Sequence, residues 1–307
     1  MCAHNRGWLL GLVCVALVAG GCSVSKKTAV APSQKAAPAM TATKPELIAR
    51  YNKQATAIQS LNASVTLKLT AGSAYSGVIE QYHEVNAFIL AQRPASIRMI
   101  GQAPVVGKNI FDMVSDGTTF SVYIPSKNKF LTGPSNFERH ADKPIENLRP
   151  QHLIDALLWA PIADGAPVLI EEAAGDTQRW YVLTVIRTPA MGGAAGMAAG
   201  SAGANANDWE IASKIYFDRA DLHVARIETF GAAGALVSDA TYSGSIPAGD
   251  STYPSSILIS RPGEDYKLDI AVKKLTVNEK VEADRFVLKQ PEGSDLVRVG
   301  EDTKSSQ

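Results

Sequence analysis

Apolar and polar residues alternate along the chain from residue 63 to residue 70. The apolar positions are Ala63, Val65, Leu67 and Leu69. Because successive side chains of a strand point to opposite faces, this period predicts a strand with one apolar and one wet face. Similar runs cover residues 77–90, 95–100, 109–114, 118–124, 127–131, 168–172, 179–187, 209–218, 223–230, 235–242, 255–260 and 266–275. Turn residues such as Ser115-Asp116-Gly117 separate neighbouring runs, which favours antiparallel hairpins.

Two segments show helical spacing instead. Thr43 and Glu46 have the spacing of a capping box, and residues 44–60 are predicted to form an amphipathic helix with an apolar stripe of Leu47, Tyr51, Ala55 and Ile58. A second helix is predicted over residues 150–159, between Pro150 and Pro161. Many short strands with few helices indicate an α+β fold, in which a strongly curved antiparallel sheet forms an incomplete β-barrel covered by the two helices.

The first 21 residues read as a lipoprotein signal peptide. Arg6 precedes an apolar stretch, and Ala19-Gly20-Gly21 precede Cys22, which is the predicted lipidation site. An ordinary secretory signal and a short membrane anchor are the alternatives, but the apolar run has only about half of the roughly 20 residues that a spanning helix needs. Lipidation predicts a bacterial envelope protein held to a membrane through its N-terminus. In the proteobacterial sorting rule an aspartate after the cysteine favours inner-membrane retention, so Ser23, by resemblance to that rule, favours the outer membrane, facing the periplasm.

Composition divides the rest of the chain. Residues 22–43, which start with the lipidated cysteine, are predicted to form a disordered tether because they are rich in small and polar residues. Residues 44–290 are predicted to form the folded domain, and residues 291–307 are predicted to be a polar, flexible tail. Residues 190–207 are predicted to be a flexible loop within the domain. The other cysteines lie in the signal peptide, so we expect no disulfide after Cys22. The net charge after the signal peptide is −1, which gives no basic footprint for nucleic acid.

Catalytic and metal-binding motifs are missing from the sequence. There is no G-x-S-x-G elbow, and the glycines of residues 190–207 fit no phosphate-binding pattern. The sequence around Asp218, Asp221 and His223 is more typical of a hairpin turn than of a metal site. Glu171 and Glu172 would point to opposite faces of a strand, so they cannot share a proton as a catalytic pair would. We therefore predict a binding protein rather than an enzyme, with no cofactor and no metal.

Two stretches resemble a known family. Arg93-Pro94-Ala95-Ser96-Ile97-Arg98 and the hairpin from Phe111 through Ser115-Asp116-Gly117 to Tyr123-Ile124-Pro125 are similar to segments of the bacterial lipoprotein carrier and receptor proteins LolA and LolB. Tyr253-Pro254-Ser255-Ser256-Ile257 and residues 277–286 resemble the closing strands of that family. The resemblance covers roughly residues 44–290 and implies an apolar cavity, between a curved sheet and its helices, that receives the acyl chains of lipoproteins.

The resemblance also implies roles for particular residues. Arg93 matches the family arginine that holds the lid over the empty cavity, although Arg98 is nearby and either could be a strand-end charge. Cys22 favours the anchored receptor over the soluble carrier. Pro104-Val105-Val106-Gly107 is a candidate for the receptor's membrane-inserting loop, and a plain buried turn is the alternative.

The expected function is the binding of acyl chains of lipoproteins or phospholipids, for lipoprotein sorting or lipid transfer. The candidate cavity residues are Val65, Leu67, Leu69, Ile97, Met99, Phe111, Met113, Leu153, Leu157 and Leu158. Each is equally compatible with an ordinary core. An envelope assembly or sensor lipoprotein that binds a protein partner through the same fold is the alternative, and a filled interior would favour it. A hydrolase is disfavoured by the missing motifs.

Overall fold

The structure is a computed structural model that describes residues 38–72, 79–81, 83–135, 150–175, 177–187, 209–231 and 234–299. The predicted signal peptide, Cys22 and most of the tether lie outside these residues. So do the predicted loop at 190–207 and the last residues of the tail.

Two α-helices lie where the helical spacing predicted them. They are α1 (Lys44–Ala57) and α2 (Gln151–Leu157). The capping box of α1 is confirmed, since the backbone N–H of Thr43 donates to Glu46 Oε2 at 2.7 Å. Both helices end earlier than predicted. The backbone is already extended at Ile58, because β1 begins two residues later, and α2 ends at Leu157 rather than next to Pro161.

Strands make up most of the described chain. They are β1 (Ser60–Ala71), β2 (Glu80–Gln81), β3 (Val85–Gln92), β4 (Ser96–Gln102), β5 (Asn109–Ser115), β6 (Thr119–Ile124), β7 (Lys129–Pro134), β8 (Val168–Ala174), β9 (Arg179–Arg187), β10 (Glu210–Asp218), β11 (Val224–Phe230), β12 (Leu236–Ser243), β13 (Ile246–Ala248), β14 (Ser251–Tyr253), β15 (Ser256–Arg261), β16 (Tyr266–Val277) and β17 (Asp295–Arg298). Short 3₁₀ turns cover Pro125–Lys127, Pro262–Glu264 and Ala283–Phe286.

One large sheet contains all of these strands except the β13–β14 ribbon. Its order is β17-β7-β6-β5-β4-β3-β1-β16-β15-β12-β11-β10-β9-β8, with β2 also paired to β1. Neighbours are antiparallel apart from β17, which runs parallel to β7. The prediction of a single antiparallel-rich sheet with few helices is therefore confirmed. The sheet is not closed, because β17 and β8 are its two ends.

Three features differ from the sequence prediction. The run predicted as one strand over residues 77–90 contains β2 and β3, with no strand at residues 83–84. The β13–β14 ribbon was not predicted. The tail, predicted to be flexible from residue 291, contains β17, whose four residues are all exposed. Because β17 pairs through its backbone and buries no side chain, its sequence carries no periodic signal.

One face of the sheet carries the core. Along β1 the inward positions are buried as the alternation predicts, and the register places Leu67 opposite Ile270 of β16 and Val85 of β3. Leu47 of α1 and Leu153 of α2 are fully buried in the same apolar cluster. Each such side chain contributes about 1.5–3 kcal/mol on burial. Both helices thus contribute side chains to the apolar cluster on this face.

Candidate functional site

The ten predicted cavity residues come together in the structure. Nine are buried in one apolar cluster, and Phe111 packs against it half-buried. The Phe111 ring lies over Gly101, where an added Cβ would meet the ring edge and force it to move. Among the described residues, the side chains proposed to line a cavity are packed as a core in this conformation.

A small cavity lies at the end of α1. Its walls are formed by Gln54, Ala55, Ile58, Arg93, Leu157, Leu158, Trp159 and Tyr253. It has room for about one water molecule. An acyl chain needs far more space than this. The cavity is therefore too small to hold an acyl chain in this conformation.

Arg93 joins three segments of the chain at this point. It follows β3, and its guanidinium donates to the carbonyl oxygens of Ala55 at 2.8 Å, Ile58 at 3.2 Å and Trp159 at 2.6 Å. The first two carbonyls belong to the end of α1, and the third follows α2. Burial lowers the pKa of Arg93 from its ordinary value. The fork of donors suits this arrangement because a guanidinium can hold several acceptors in one plane.

Arg98 has a different environment. Its Nε and Nη2 donate to the two carboxylate oxygens of Asp112 at 3.1 and 2.7 Å, and its Nη1 donates to the carbonyl of Arg285 at 3.0 Å. These contacts join β4, β5 and the segment after β16. Of the two arginines in the family-like stretch, Arg93 is therefore the one that contacts the end of α1 and the segment after α2.

Residues 156–162, which we call the strap, are held by side chains from several elements. Tyr242 of β12 donates to the carbonyl of Ala156 at 3.2 Å, and Tyr253 of β14 donates to that of Leu157 at 2.8 Å. Tyr51 of α1 donates to the carbonyl of Ala160 at 3.0 Å. Burial raises the pKa of all three tyrosines, so they remain neutral donors at physiological pH.

The strap also makes ring and amide contacts. Trp159 stacks on Tyr51 with ring centroids 5.8 Å apart and meets Tyr242 edge-on at 5.0 Å. Asn52 forms a reciprocal pair with the backbone of Ile162, donating at 2.9 Å and accepting at 2.8 Å. These partners could not be predicted from the sequence, because each tyrosine occupies an ordinary apolar position in its own element and the contacts span about 100 residues.

The Pro104–Gly107 turn between β4 and β5 is exposed rather than buried. Val105 and Val106 are 95% and 75% exposed. The turn is braced by hydrogen bonds from Gly107 N–H to the carbonyl of Ala103 at 3.0 Å and from Ala103 N–H to that of Lys108 at 2.9 Å. Since β3 and β4 are antiparallel, this turn lies at the rim of the sheet opposite to the β3–β4 connection that carries Arg93.

The acidic residues that were candidates for metal binding or catalysis lie in turns and surface ion pairs. Asp218 Oδ1 accepts from the backbone of Ala220 at 2.8 Å, and Asp221 Oδ1 accepts from that of His223 at 3.0 Å, as the turn prediction expects. Glu172 pairs with Arg219.

Within the described ranges no three His, Cys, Asp or Glu side chains are grouped to hold a metal ion. The helices in this part of the chain include none that is long and apolar enough to cross a membrane.

Comparisons give structural likenesses only. No protein-family model and no curated protein matches the chain. A LolA superfamily protein from Nitrosomonas europaea is similar over 81% of this chain and 99% of its own, with 10% identity and a TM-score of 0.48. A putative outer membrane lipoprotein-sorting protein domain from Vibrio parahaemolyticus and a DUF1329 family protein from Desulfovibrio piger each match 78% of this chain and 94% of their own, at 11% and 14% identity and TM-scores of 0.47.

The first of these structures belongs to the superfamily that residues 93–98 and 111–125 resemble in sequence. The likeness concerns the arrangement of the sheet and the helices. At these identities and scores the likeness carries no information about ligand or activity.

Proposed function

We propose that this protein is a lipid-anchored lipoprotein of the bacterial envelope that binds acyl chains of lipoproteins or phospholipids in the apolar interior between its sheet and its helices. The observation that carries the proposal is the contact set of Arg93, whose three hydrogen bonds join the end of α1 to the strap. Such bonds can be exchanged for water without a covalent step. The described conformation is then the closed, ligand-free state.

The apolar lining supplies the binding energy. Each methylene of a ligand that leaves water contributes about 0.8 kcal/mol. Val65, Ile97, Met99 and Leu153 would line the opened interior, together with the other predicted cavity residues. Binding and release require no cofactor, because a chain can move towards the site of higher affinity without any reaction. We place the function in sorting or transfer rather than in catalysis.

The Pro104–Gly107 turn supplies a membrane contact in this proposal. Val105 and Val106 present apolar side chains to solvent, and Lys108 follows directly. A lipid anchor at Cys22 would keep the domain close to the bilayer, so this short apolar turn could enter the interface repeatedly. Ser23 favours the outer membrane as the site of anchoring.

Native mass spectrometry tests the proposal. The chain from residue 22 onward, with Cys22→Ser to prevent lipidation, would be incubated with a synthetic diacylated lipopeptide at micromolar concentration. We expect a bound species, at higher occupancy in Arg93→Leu than in the parent chain. If both proteins keep a clean apo mass, the acyl-binding function is wrong.

A second function is favoured by the dense packing of the interior. Nine of the ten candidate residues are buried, and the small cavity near them has room for about one water molecule. A filled interior of this kind also suits a domain that binds an envelope protein through its outer surface. In that case the protein would serve as an assembly or sensor lipoprotein without lipid transfer. This function would be supported if the parent chain and Arg93→Leu both keep the mass of the ligand-free protein and a specific partner is cross-linked in intact cells.

A further inference from the structure

We propose that the outer edge of β8 (Val168–Ala174) is a docking site for an extended segment of another envelope protein, in which two basic residues precede two apolar ones. The segment would add one antiparallel strand to the large sheet. The inference goes beyond the binding of acyl chains. It deepens the second candidate function, on which it rests, by naming the surface and the chemistry of the protein partner.

Among the described residues, β8 has a strand partner on one side only. It is the last strand of the large sheet, and it pairs with β9 along its whole length without a register shift. The strand at the other end, β17, has four residues, whereas β8 has seven. Very short edge strands, bulges and prolines are devices that prevent further pairing, and β8 has none of them.

Two backbone hydrogen bonds show which groups of β8 point away from β9. Ile186 N–H donates to the carbonyl of Pro167 at 2.9 Å, and Gly175 N–H donates to that of Gln178 at 2.8 Å. Hydrogen-bonded pairs alternate along an antiparallel ladder, so the odd-numbered residues of β8 bond to β9. The residues that turn their N–H and C=O groups outwards are therefore Val168, Ile170, Glu172 and Ala174.

The first of these outward groups already has a partner. Lys44 of α1 donates from its ammonium group to the carbonyl oxygen of Val168 at 3.1 Å. Within the described ranges, the outward N–H and C=O groups of Ile170, Glu172 and Ala174 have no partner. An incoming strand would therefore form its backbone hydrogen bonds with these three residues, which is the mode of peptide recognition by strand addition.

The side chains of the edge combine two apolar and two acidic residues. Leu169 and Ile170 are 65% and 39% exposed, and Glu171 and Glu172 follow them directly. Ile170 and Glu172 lie on the core side of the sheet, because Ile170 is opposite the fully buried Leu183, and the other two lie on the outer face. An antiparallel segment thus meets two carboxylates first and two apolar side chains next.

Charge separates such a partner from a second copy of this chain. Glu171 has no ion-pair partner among the described residues, and Glu172, although it pairs with Arg219, keeps a side chain that is 64% exposed. Two fully overlapped antiparallel β8 strands would place Glu171 opposite Glu171 of the other copy. Like charges in directly opposite positions are destabilising, whereas lysine or arginine at these positions is attracted.

The edge is held in position before any partner binds. Lys44 fixes its first residue, and the guanidinium of Arg219 pairs with Glu172 while it lies over the ring of Tyr181, 4.5 Å from the ring centroid. The cost of ordering on binding is therefore paid mainly by the incoming segment.

Peptide titration tests the docking site. The chain from residue 22 with Cys22→Ser would be titrated with the end-blocked hexapeptide Thr-Lys-Lys-Val-Val-Thr and followed by amide NMR and calorimetry. We expect saturable shifts at Ile170, Glu172 and Ala174. The peptide Thr-Glu-Glu-Val-Val-Thr keeps the apolar residues and reverses the charge, so it should bind at least roughly ten-fold more weakly.

Two variants of β8 sharpen the test. Glu171→Lys should weaken the basic peptide and strengthen the acidic one, each by roughly ten-fold, because it replaces attraction with repulsion at one position. Ile170→Pro removes an outward N–H without removing a bond to β9, so it should abolish binding of both peptides. Asp269→Lys is the matched control, since it makes the same charge change at an exposed position of β16.

Several results would overturn the docking site. These are equal binding of the two peptides, shifts confined to other strands, and an equal loss in Asp269→Lys and Glu171→Lys. A parent dimer in light scattering that Ile170→Pro dissociates would assign the edge to a second copy instead. A partner cross-linked in cells through another surface, without peptide binding, would keep the second candidate function and remove the site. Peptide binding without any cross-linked partner would keep the site and remove that function.

Discussion

The guanidinium of Arg93 donates a hydrogen bond of 2.6 Å to the carbonyl oxygen of Trp159, a residue 66 positions further along the chain. The same side chain reaches Ala55 and Ile58 at the end of α1. A single residue after β3 therefore bridges α1 and the strap, in addition to the direct contacts that Tyr51 and Asn52 make with the strap. Loosening either segment requires that these bonds be exchanged.

Arg93→Leu should lower the free energy of unfolding by about 2–3 kcal/mol, because three carbonyls lose a charged donor. Urea denaturation followed by circular dichroism measures the change. Arg93→Lys keeps the charge but not the fork of donors, so its loss should be smaller. Equal stability of Arg93→Leu and the parent chain would show that the contacts do not fasten the helices.

Leu153→Ala should destabilise the domain by about 2–5 kcal/mol, since this side chain is fully buried between α2 and the sheet. Val105→Ala is the matched exposed change and should alter the free energy of unfolding by less than about 0.5 kcal/mol. The urea midpoints of the two variants measure the difference. A small effect at Leu153 would indicate that α2 does not pack on the core in solution.

Replacing Val105 and Val106 together by serine should reduce association with vesicles of phosphatidylethanolamine and phosphatidylglycerol without changing stability. The reason is that the two side chains are exposed and contribute their apolar surface only in contact with lipid. Co-sedimentation of the unlipidated chain measures the association. Leu169→Ser, at another exposed apolar position, is the control, and an equal loss in that variant would make the effect unspecific.

Glu46 should make a pH-dependent contribution to stability. Hydrogen bonds from the backbone and side chain of Thr43 lower the pKa of Glu46 in the folded protein. Its contribution is therefore present above the pKa of the unfolded chain and is lost as the pH falls through the lowered folded pKa. In urea titrations at several pH values, Glu46→Gln should be less stable than the parent chain near pH 7, and the difference should vanish in acid. A difference that grows in acid would have the wrong sign.

Removal of residues 291–307 should increase self-association. β17 pairs with Lys129–Thr132 of β7 and covers what would otherwise be the free edge of that strand. Exposed edges recruit other strands, so light scattering at increasing protein concentration should rise in the truncated chain. A chain that lacks only residues 300–307 keeps β17 and should behave like the parent.

Much of the fold could be predicted from local sequence patterns, whereas the long-range contacts of the candidate site could not. The alternation around Val65 and the capping box of Thr43 and Glu46 depend only on residues close together in sequence, and both are observed. The resemblance pointed to Arg93, but its three carbonyl partners could not be predicted from spacing. Tyr242 and Tyr253 looked like ordinary strand residues, because a buried hydroxyl reveals its acceptor only after distant segments meet.

The position of the Pro104–Gly107 turn has a consequence for orientation. β4 connects the rim of this turn with the rim of Arg93, and its seven residues span about 23 Å at roughly 3.3 Å per residue. A domain resting on a bilayer through Val105 and Val106 would hold Arg93 and the strap well above the headgroups, facing away from the lipid. Cargo could then arrive from the aqueous side while the opposite end of the molecule stays seated on the membrane.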